Sequence, residues 1–250
     1  TGSSGSMESS AMKDIFSRSI PKHGLRYVKY LGDGDSSAFK QVSESQPYGP
    51  DVAIEKLECV GHIQKRMGGR LTKLTKEMKG QVLNDGKPLG GLHRLTKKEI
   101  NSLQTYYGKA IRDNVDSLEK MTRAVWAIYF HKLSTDDVQH HGMCPEGEDT
   151  WCGFNNPKHN NQEYKHTHSL PKAVMVAIKP TFQFLSNSEL LKKCLHGGTK
   201  NANESFNNLI WKRCPKTKFV SKTVVEIGTY DSVIVLATRA TREEQKSSNT

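Results

Sequence analysis

No stretch of this sequence approaches the run of about 18 apolar residues that a membrane-spanning helix requires. Residues 1–20 also lack the basic-then-apolar layout of a secretory signal. Both absences point toward a soluble, intracellular protein without a membrane partner. Cysteine is scarce: five, an odd number, are spread over 250 residues beside ten histidines. That usage fits thiols or metal ligands better than a disulfide framework. Acid is in deficit, with 26 Asp and Glu against 37 Lys and Arg, for a formal charge of +11 and a pI near 9.4. Such a field attracts polyanions and makes nucleic acid the leading partner, although many basic proteins bind nothing in particular. The chain has no internal repeat and no separate module for site-specific DNA binding.

What is present suffices for a fold. Apolar residues make up 35% and charged residues 25%, and the mean hydropathy is −0.65, which is polar but well short of a disordered composition. The length allows one core, or a core with a large insertion. Thr1 to Ser6 reads as flexible, either a native loop or an expression scar. Residues 8–20 are weakly helical, and Leu25 to Leu31 alternates apolar and basic positions like a strand, running into the acidic turn Gly32-Asp33-Gly34-Asp35. A loop with Pro47 and Pro50 leads to a second strand-like run, Val52 to Cys59. His62 to Lys79 is helical in character and basic. A helix is expected after the capping box Thr96-x-x-Glu99, and another from about Ser117 with Leu118, Met121, Val125 and Ile128 on one face. Their aromatics, Tyr106, Tyr107, Trp126, Tyr129 and Phe130, fall at helical spacings and read as core rather than as a base-stacking platform.

Residues 134–170 form a polar, His-, Asn- and Cys-rich excursion too long to be a simple connection. Helical patterns resume at 171–185 and 188–195. Asn203 is placed to cap a helix through Arg213, stopped by Pro215. Residues 223–236 are apolar, and periodicity does not choose between helix and strand. From Thr238 the chain lacks apolar anchors and reads as a loose tail.

Three features carry chemistry if taken together: Asp33 or Asp35 at a strand end, Cys59-x-x-His62, and Glu204 opening a helix. Each alone has a plainer reading, as a turn, as a buried thiol near a surface imidazole, and as a carboxylate favoured by the helix dipole. On helix geometry, Glu204 points away from Phe206 and Ile210 if those two anchor the helix.

The run Asn203-Glu204-Ser205-Phe206-Asn207-Asn208-Leu209-Ile210, with Arg213 and Pro215, resembles the Glu-Ser-Phe-Asn block of Mutator-like transposases. The turn Leu31 to Ser36, the block Glu58-Cys59-Val60-Gly61-His62 and the loop from Cys144-Pro145 to Trp151-Cys152 resemble the arthropod branch of that family. The resemblance covers about residues 1–235. It implies an α/β fold: a ribonuclease-H-like (DDE) core with a large, mostly helical insertion, helix-rich overall. By position it implies a partial core over 1–62 holding the second acid, an insertion over 63–185, a return to the core over 186–236 with the third acid, and a tail over 237–250. Asp33 is the second acid, with Asp35 as the alternative, and Glu204 is the third. Such acids hold two Mg²⁺ or Mn²⁺ ions for phosphoryl transfer on DNA ends. The first acid is expected on a strand for which there is no room upstream of residue 8, so the resemblance implies an N-terminally truncated copy that is inactive alone.

Two Zn²⁺ sites are candidates. Cys59 and His62 pair with Cys194 and His196 in one, which would tie both ends of the insertion to the core. His141, Cys144 and Cys152 make the other, with His131 or His140 as fourth ligand. Lys65, Arg66, Arg70, Lys73, Lys76 and Lys79 form either a solvated helix face or a DNA-backbone contact whose affinity falls steeply with salt. The functional expectation is a transposase-derived, nuclear protein that binds transposon ends and target DNA, with self-association among transposase subunits. The competing readings are a co-opted, non-catalytic nucleic-acid- or protein-binding zinc protein, and a gene fragment without a stable fold.

Overall fold

The computed structural model describes residues 4–32, 37–156 and 164–247. The chain divides into two compact units, Thr1–Gly198 and Thr199–Thr250.

The first unit opens with α1 (Ser4–Ser17) and α2 (Ser19–His23), followed by β1 (Lys29–Gly32), α3 (Ser37–Glu44) and β2 (Glu55–Glu58). The helix α1 starts at Ser4, so the chain's flexible-looking opening is helical from that residue. The helix α2 stops at Gly24, whose left-handed backbone (φ 63°) turns its N–H onto the Ile20 carbonyl. The strands β1 and β2 pair in parallel, Lys29 opposite Glu55 and Gly32 opposite Glu58. Parallel neighbours cannot be joined by a tight hairpin, and α3 lies in the crossover. Ala38 and Val42, one turn apart on α3, bury against Phe16, Tyr30 and Ile54. Tyr48 fastens the same cluster from the loop, its hydroxyl accepting from the Tyr27 amide at 2.8 Å and bonding the Ser19 hydroxyl at 2.7 Å.

The larger core belongs to α4 (Val60–Glu77), α5 (Lys97–Arg112), α6 (Leu118–Leu133), α7 (Lys172–Leu185) and α8 (Ser188–Lys192). Ile63, Met67 and Leu71 place one apolar stripe on α4, and Leu103, Tyr107 and Ile111 place another on α5. The expected cap at Thr96 forms, its Oγ1 accepting from the Glu99 amide at 3.1 Å, and α6 starts where expected, with Ser117 Oγ accepting from the Lys120 amide at 3.2 Å. The helices α4 and α5 approach closely because each offers a glycine to a glutamine of the other. A Cβ on Gly68 would meet Gln104, and one on Gly108 would meet Gln64. Tyr107 and Tyr129 are buried, with their hydroxyls donating to the carbonyls of Leu185 (2.9 Å) and Met175 (3.1 Å). These two are therefore core, and Tyr106, Trp126 and Phe130 pack against it partly buried.

The second unit is a helical hairpin of α9 (Asn201–Arg213) and α10 (Lys222–Ser247). Asn203 does not cap α9. The helix begins at Asn201 behind Lys200, without a side-chain cap, and Asn203 lies inside it. The apolar run 223–236 is helical, and α10 continues through the expected loose tail as far as Ser247. The Arg, Glu, Gln and Lys residues of that tail are good helix formers and need no apolar face to extend an existing helix. The Arg213 guanidinium pairs with Asp231 across the hairpin, and Gly228 makes room for the Cys214 sulfur. Among the described residues the sheet has two strands, and the chain is helix-rich.

Candidate metal centre

His131 stands in the last turn of α6, and the chain then leaves the helix into the His- and Cys-rich excursion. Local hydrogen bonds bring that excursion back to the same helix. Ser134 Oγ accepts from the His140 amide at 2.9 Å, and a turn places the Cys144 amide on the His141 carbonyl at 2.9 Å. The second half is shaped by Thr150, whose hydroxyl donates to the Pro145 carbonyl at 2.8 Å and accepts from the Cys152 amide at 3.1 Å. Asn155 clamps the halves together, its amide nitrogen donating to the carbonyls of His141 and Cys144, each at 3.3 Å. Arg123 anchors the loop to α6 through the Gly142 carbonyl at 2.8 Å. Ala127, one turn before His131, packs against both cysteines.

The result is a convergence of four side chains. The Nδ1 atoms of His131 and His141 and the Sγ atoms of Cys144 and Cys152 all lie within 4.8 Å of one another. The nitrogen-to-sulfur separations are 3.8 and 3.6 Å from His131, and 3.6 and 3.5 Å from His141. Zn–S bonds of about 2.3 Å and Zn–N bonds of about 2.0–2.1 Å at a tetrahedral angle give an edge of about 3.6 Å. The donor set and its spacing therefore fit a tetrahedral zinc ion. With four protein ligands no position remains open for water or substrate, which is the arrangement of a structural site rather than a catalytic one.

Hydrogen bonding from Cys144 holds the Cys152 thiol well below the usual thiol range, helped by His131, and the same shared proton pushes Cys144 up. Burial pushes His141 down, toward the neutral form a ligand must have. The imidazoles are held from outside by aromatic rings: Phe154 stacks on His141 with centroids 4.3 Å apart, and Trp151 meets His131 edge-on at 5.0 Å. His140 lies outside the group and faces the Phe130 ring.

The other cysteine and histidine candidates are placed differently. Cys59, Cys194 and His196 come to the end of β2, but among the described residues the ligand atoms of Cys59, His62, Cys194 and His196 do not form such a group. Both ring nitrogens of His196 are engaged by the backbone: Nε2 donates to the Glu58 carbonyl at 3.0 Å, and Nδ1 accepts from the Gly198 amide at 2.8 Å. The link that the zinc pairing would make is made by the main chain, with Glu58 N–H on Lys193 O and Val60 N–H on Gly198 O, each at 3.1 Å. Burial, with Glu58 nearby, pushes the Cys194 thiol up to about 12, which suits a core thiol.

The basic segment splits by role. The Arg66 guanidinium pairs at 3.0 Å with Glu58, whose side chain is buried, and the Arg70 guanidinium lies 3.6 Å above the Phe184 ring. Lys65, Lys73, Lys76 and Lys79 are exposed along or just beyond α4, Lys73 within 3.5 Å of Glu77. Asp33 and Asp35 lie outside the described residues, and β1 ends at Gly32. Glu204 is exposed in the first turn of α9, in the second unit; Leu209 is the buried anchor of that helix, with Phe206 and Ile210 half-buried.

Sequence reasoning misses Asn155 and the aromatic lids, and it misses Asp136 and His166 altogether. Asp136 accepts from His166 Nδ1 at 2.7 Å, and His166 Nε2 lies 2.8 Å from His141 Nε2. No spacing signal joins residues so far apart across an irregular loop.

Residues 1–152 match the sequence profile of the Mutator-like transposase family. The matched span includes the acidic turn, the basic helix and all four Cys and His residues of the cluster, while Glu204 lies beyond it. No curated protein and no solved structure matches the chain.

Proposed function

Because the chain belongs to the Mutator-like transposase family, we propose that it engages DNA through the exposed lysines of α4 and its C-terminal end, beside a helical region whose long loop is closed by Zn²⁺. The observation that carries this reading is the solvent-facing set of Lys65, Lys73, Lys76 and Lys79, inside the family-matched span and on a helix whose other face is core. Point charges on a helix surface contact phosphates without reading sequence. Arg66 and Arg70, engaged with Glu58 and Phe184, position α4 instead. Tetrahedral Zn²⁺ on His131, His141, Cys144 and Cys152 has a structural role here, fixing the excursion against the end of α6.

The strand-transfer chemistry is assigned to carboxylates. Asp33, or Asp35 across the same glycine, and Glu204 are the proposed second and third acids, and an all-carboxylate donor set suits hard cations such as Mg²⁺ or Mn²⁺. In a complete three-acid site such ions activate the attacking hydroxyl and stabilise the leaving oxygen. The reading extends to a nuclear location, inferred from action on DNA, and to association with other transposase subunits.

The test is the salt dependence of affinity for a duplex, followed by fluorescence anisotropy. Removing one lysine–phosphate pairing lowers the slope of log K against log salt by about 1. Replacing Lys65 and Lys76 by Ala should therefore lower the slope by about 2 and weaken binding to all sequences alike. An unchanged slope would remove α4 from the DNA interface, and an affinity insensitive to salt would remove the DNA reading itself.

A further inference from the structure

Resting on the zinc reading above, we infer that Asp136 and His166 are positioning residues for that centre: a carboxylate–imidazole–imidazole relay that selects Nδ1 of His141 as the ligand atom. An ionised carboxylate only accepts, so the 2.7 Å contact between Asp136 Oδ1 and His166 Nδ1 puts the proton on Nδ1 of His166. With Nδ1 donating to Asp136, Nε2 is the ring nitrogen of His166 left to accept. The 2.8 Å contact between the two Nε2 atoms obliges His141 to donate there. That leaves the lone pair of His141 on Nδ1, the atom 3.6 and 3.5 Å from the two sulfurs. One acid at the surface thus fixes the tautomer of a buried imidazole through two successive hydrogen bonds.

The surroundings support a built arrangement. The His166 side chain is 3% exposed, whereas that of Asp136 is 62% exposed, so the relay runs from solvent to the centre. Asp136 also accepts from the backbone N–H of His166 at 2.8 Å, gripping that residue at two points. The base of the loop is closed next to it, with Leu170 N–H on Lys132 O at 2.8 Å and the Lys132 ammonium donating to His168 O at 3.2 Å. The negative charge at the far end of the relay makes His141 a stronger donor to a cation. Outer partners of this kind change metal affinity by about 10–100-fold in other sites.

The experiment uses the full chain with Co²⁺ as a spectroscopic stand-in for Zn²⁺, and competition with a chelator for affinity. Wild type should bind one Co²⁺ with the intense absorption of a tetrahedral site carrying thiolates, and Cys144→Ser should lose it. If wild type gives no such spectrum, the zinc reading fails. If wild type binds, Asp136→Asn and His166→Leu should each still bind one ion but about 10–100-fold more weakly, with His166→Gln, whose carbonyl can accept from His141, falling between. Affinities equal to wild type in all three variants would overturn the relay and leave the zinc reading standing. Nitrogen-15 spectra of the zinc-loaded protein give the readout that loop packing alone would not move. They should show His141 metal-bound at Nδ1 and protonated at Nε2; the reverse assignment also overturns the relay. Helical circular dichroism at saturating zinc checks that each variant is folded.

Discussion

The helix α4 carries two adjacent glycines in its interior, and the structure assigns them opposite surroundings. A Cβ on Gly69 would meet nothing within 4 Å, whereas one on Gly68 would meet the Gln104 side chain, and one on Gly108 of α5 would stand 2.3 Å from Gln64 Cδ and Oε1 and 2.7 Å from its Cγ. Alanine is favoured over glycine in a helix by about 0.8–1.0 kcal/mol. Gly69→Ala should therefore stabilise the first unit by close to that amount. Gly108→Ala gains the same propensity but displaces Gln64, which also accepts from Arg112 Nη1 at 2.7 Å. Overpacking costs about 1–3 kcal/mol, so the net effect should be a loss of up to about 2 kcal/mol. Urea unfolding followed by circular dichroism separates the cases: the midpoint should rise for Gly69→Ala and fall for Gly108→Ala with the slope unchanged. If Gly108→Ala stabilised as much as Gly69→Ala, α4 and α5 would not pack this closely, and the orientation assigned to the lysine face would lose its basis.

Two further outcomes follow from the same geometry. Hydrogen bonding from Arg94, which is 7% exposed and bonds Asp85 at 2.6 Å, holds the Asp85 carboxyl below its ordinary 3.8. A depressed folded value stabilises above the unfolded one and is lost as pH falls through it. Asp85→Asn should therefore lower the melting temperature at neutral pH, and the gap from wild type should close as pH drops below 3.8; a gap that persisted in acid would assign it to shape rather than charge. Chelation should expose the excursion, so limited proteolysis after EDTA should cut within residues 134–170 before the helices, and zinc should restore protection. Equal cleavage with and without chelator would show a loop held by its hydrogen bonds alone.

Local signals are legible in the sequence. The cap at Thr96, the start of α6 near Ser117 and its apolar stripe depend on neighbours within one or two turns, and the structure forms each of them. The His- and Cys-rich loop is legible as a metal candidate because so many ligand types crowd a stretch too polar to be core. Its fourth member stays open between His131 and His140 at the level of sequence, because the choice is made by where α6 ends, which spacing does not encode. The helix α3 is not legible, since eight residues with two buried positions, Ala38 and Val42, resemble a loop until Phe16 and Tyr30 are placed beside them. The Cys59 and Cys194 segments do come together, but His196 is engaged by backbone atoms that no residue pattern reveals. The Asp136–His166 pair is invisible for the same reason, since it forms only once the loop has closed.

The most direct test of the central claim is zinc K-edge X-ray absorption on the full chain loaded with one equivalent of Zn²⁺. Two sulfur ligands at about 2.3 Å and two nitrogen ligands at about 2.0–2.1 Å are expected, with the sulfur shell absent from a Cys144→Ser, Cys152→Ser variant. A shell of nitrogen and oxygen alone, or one untouched by that variant, would contradict it.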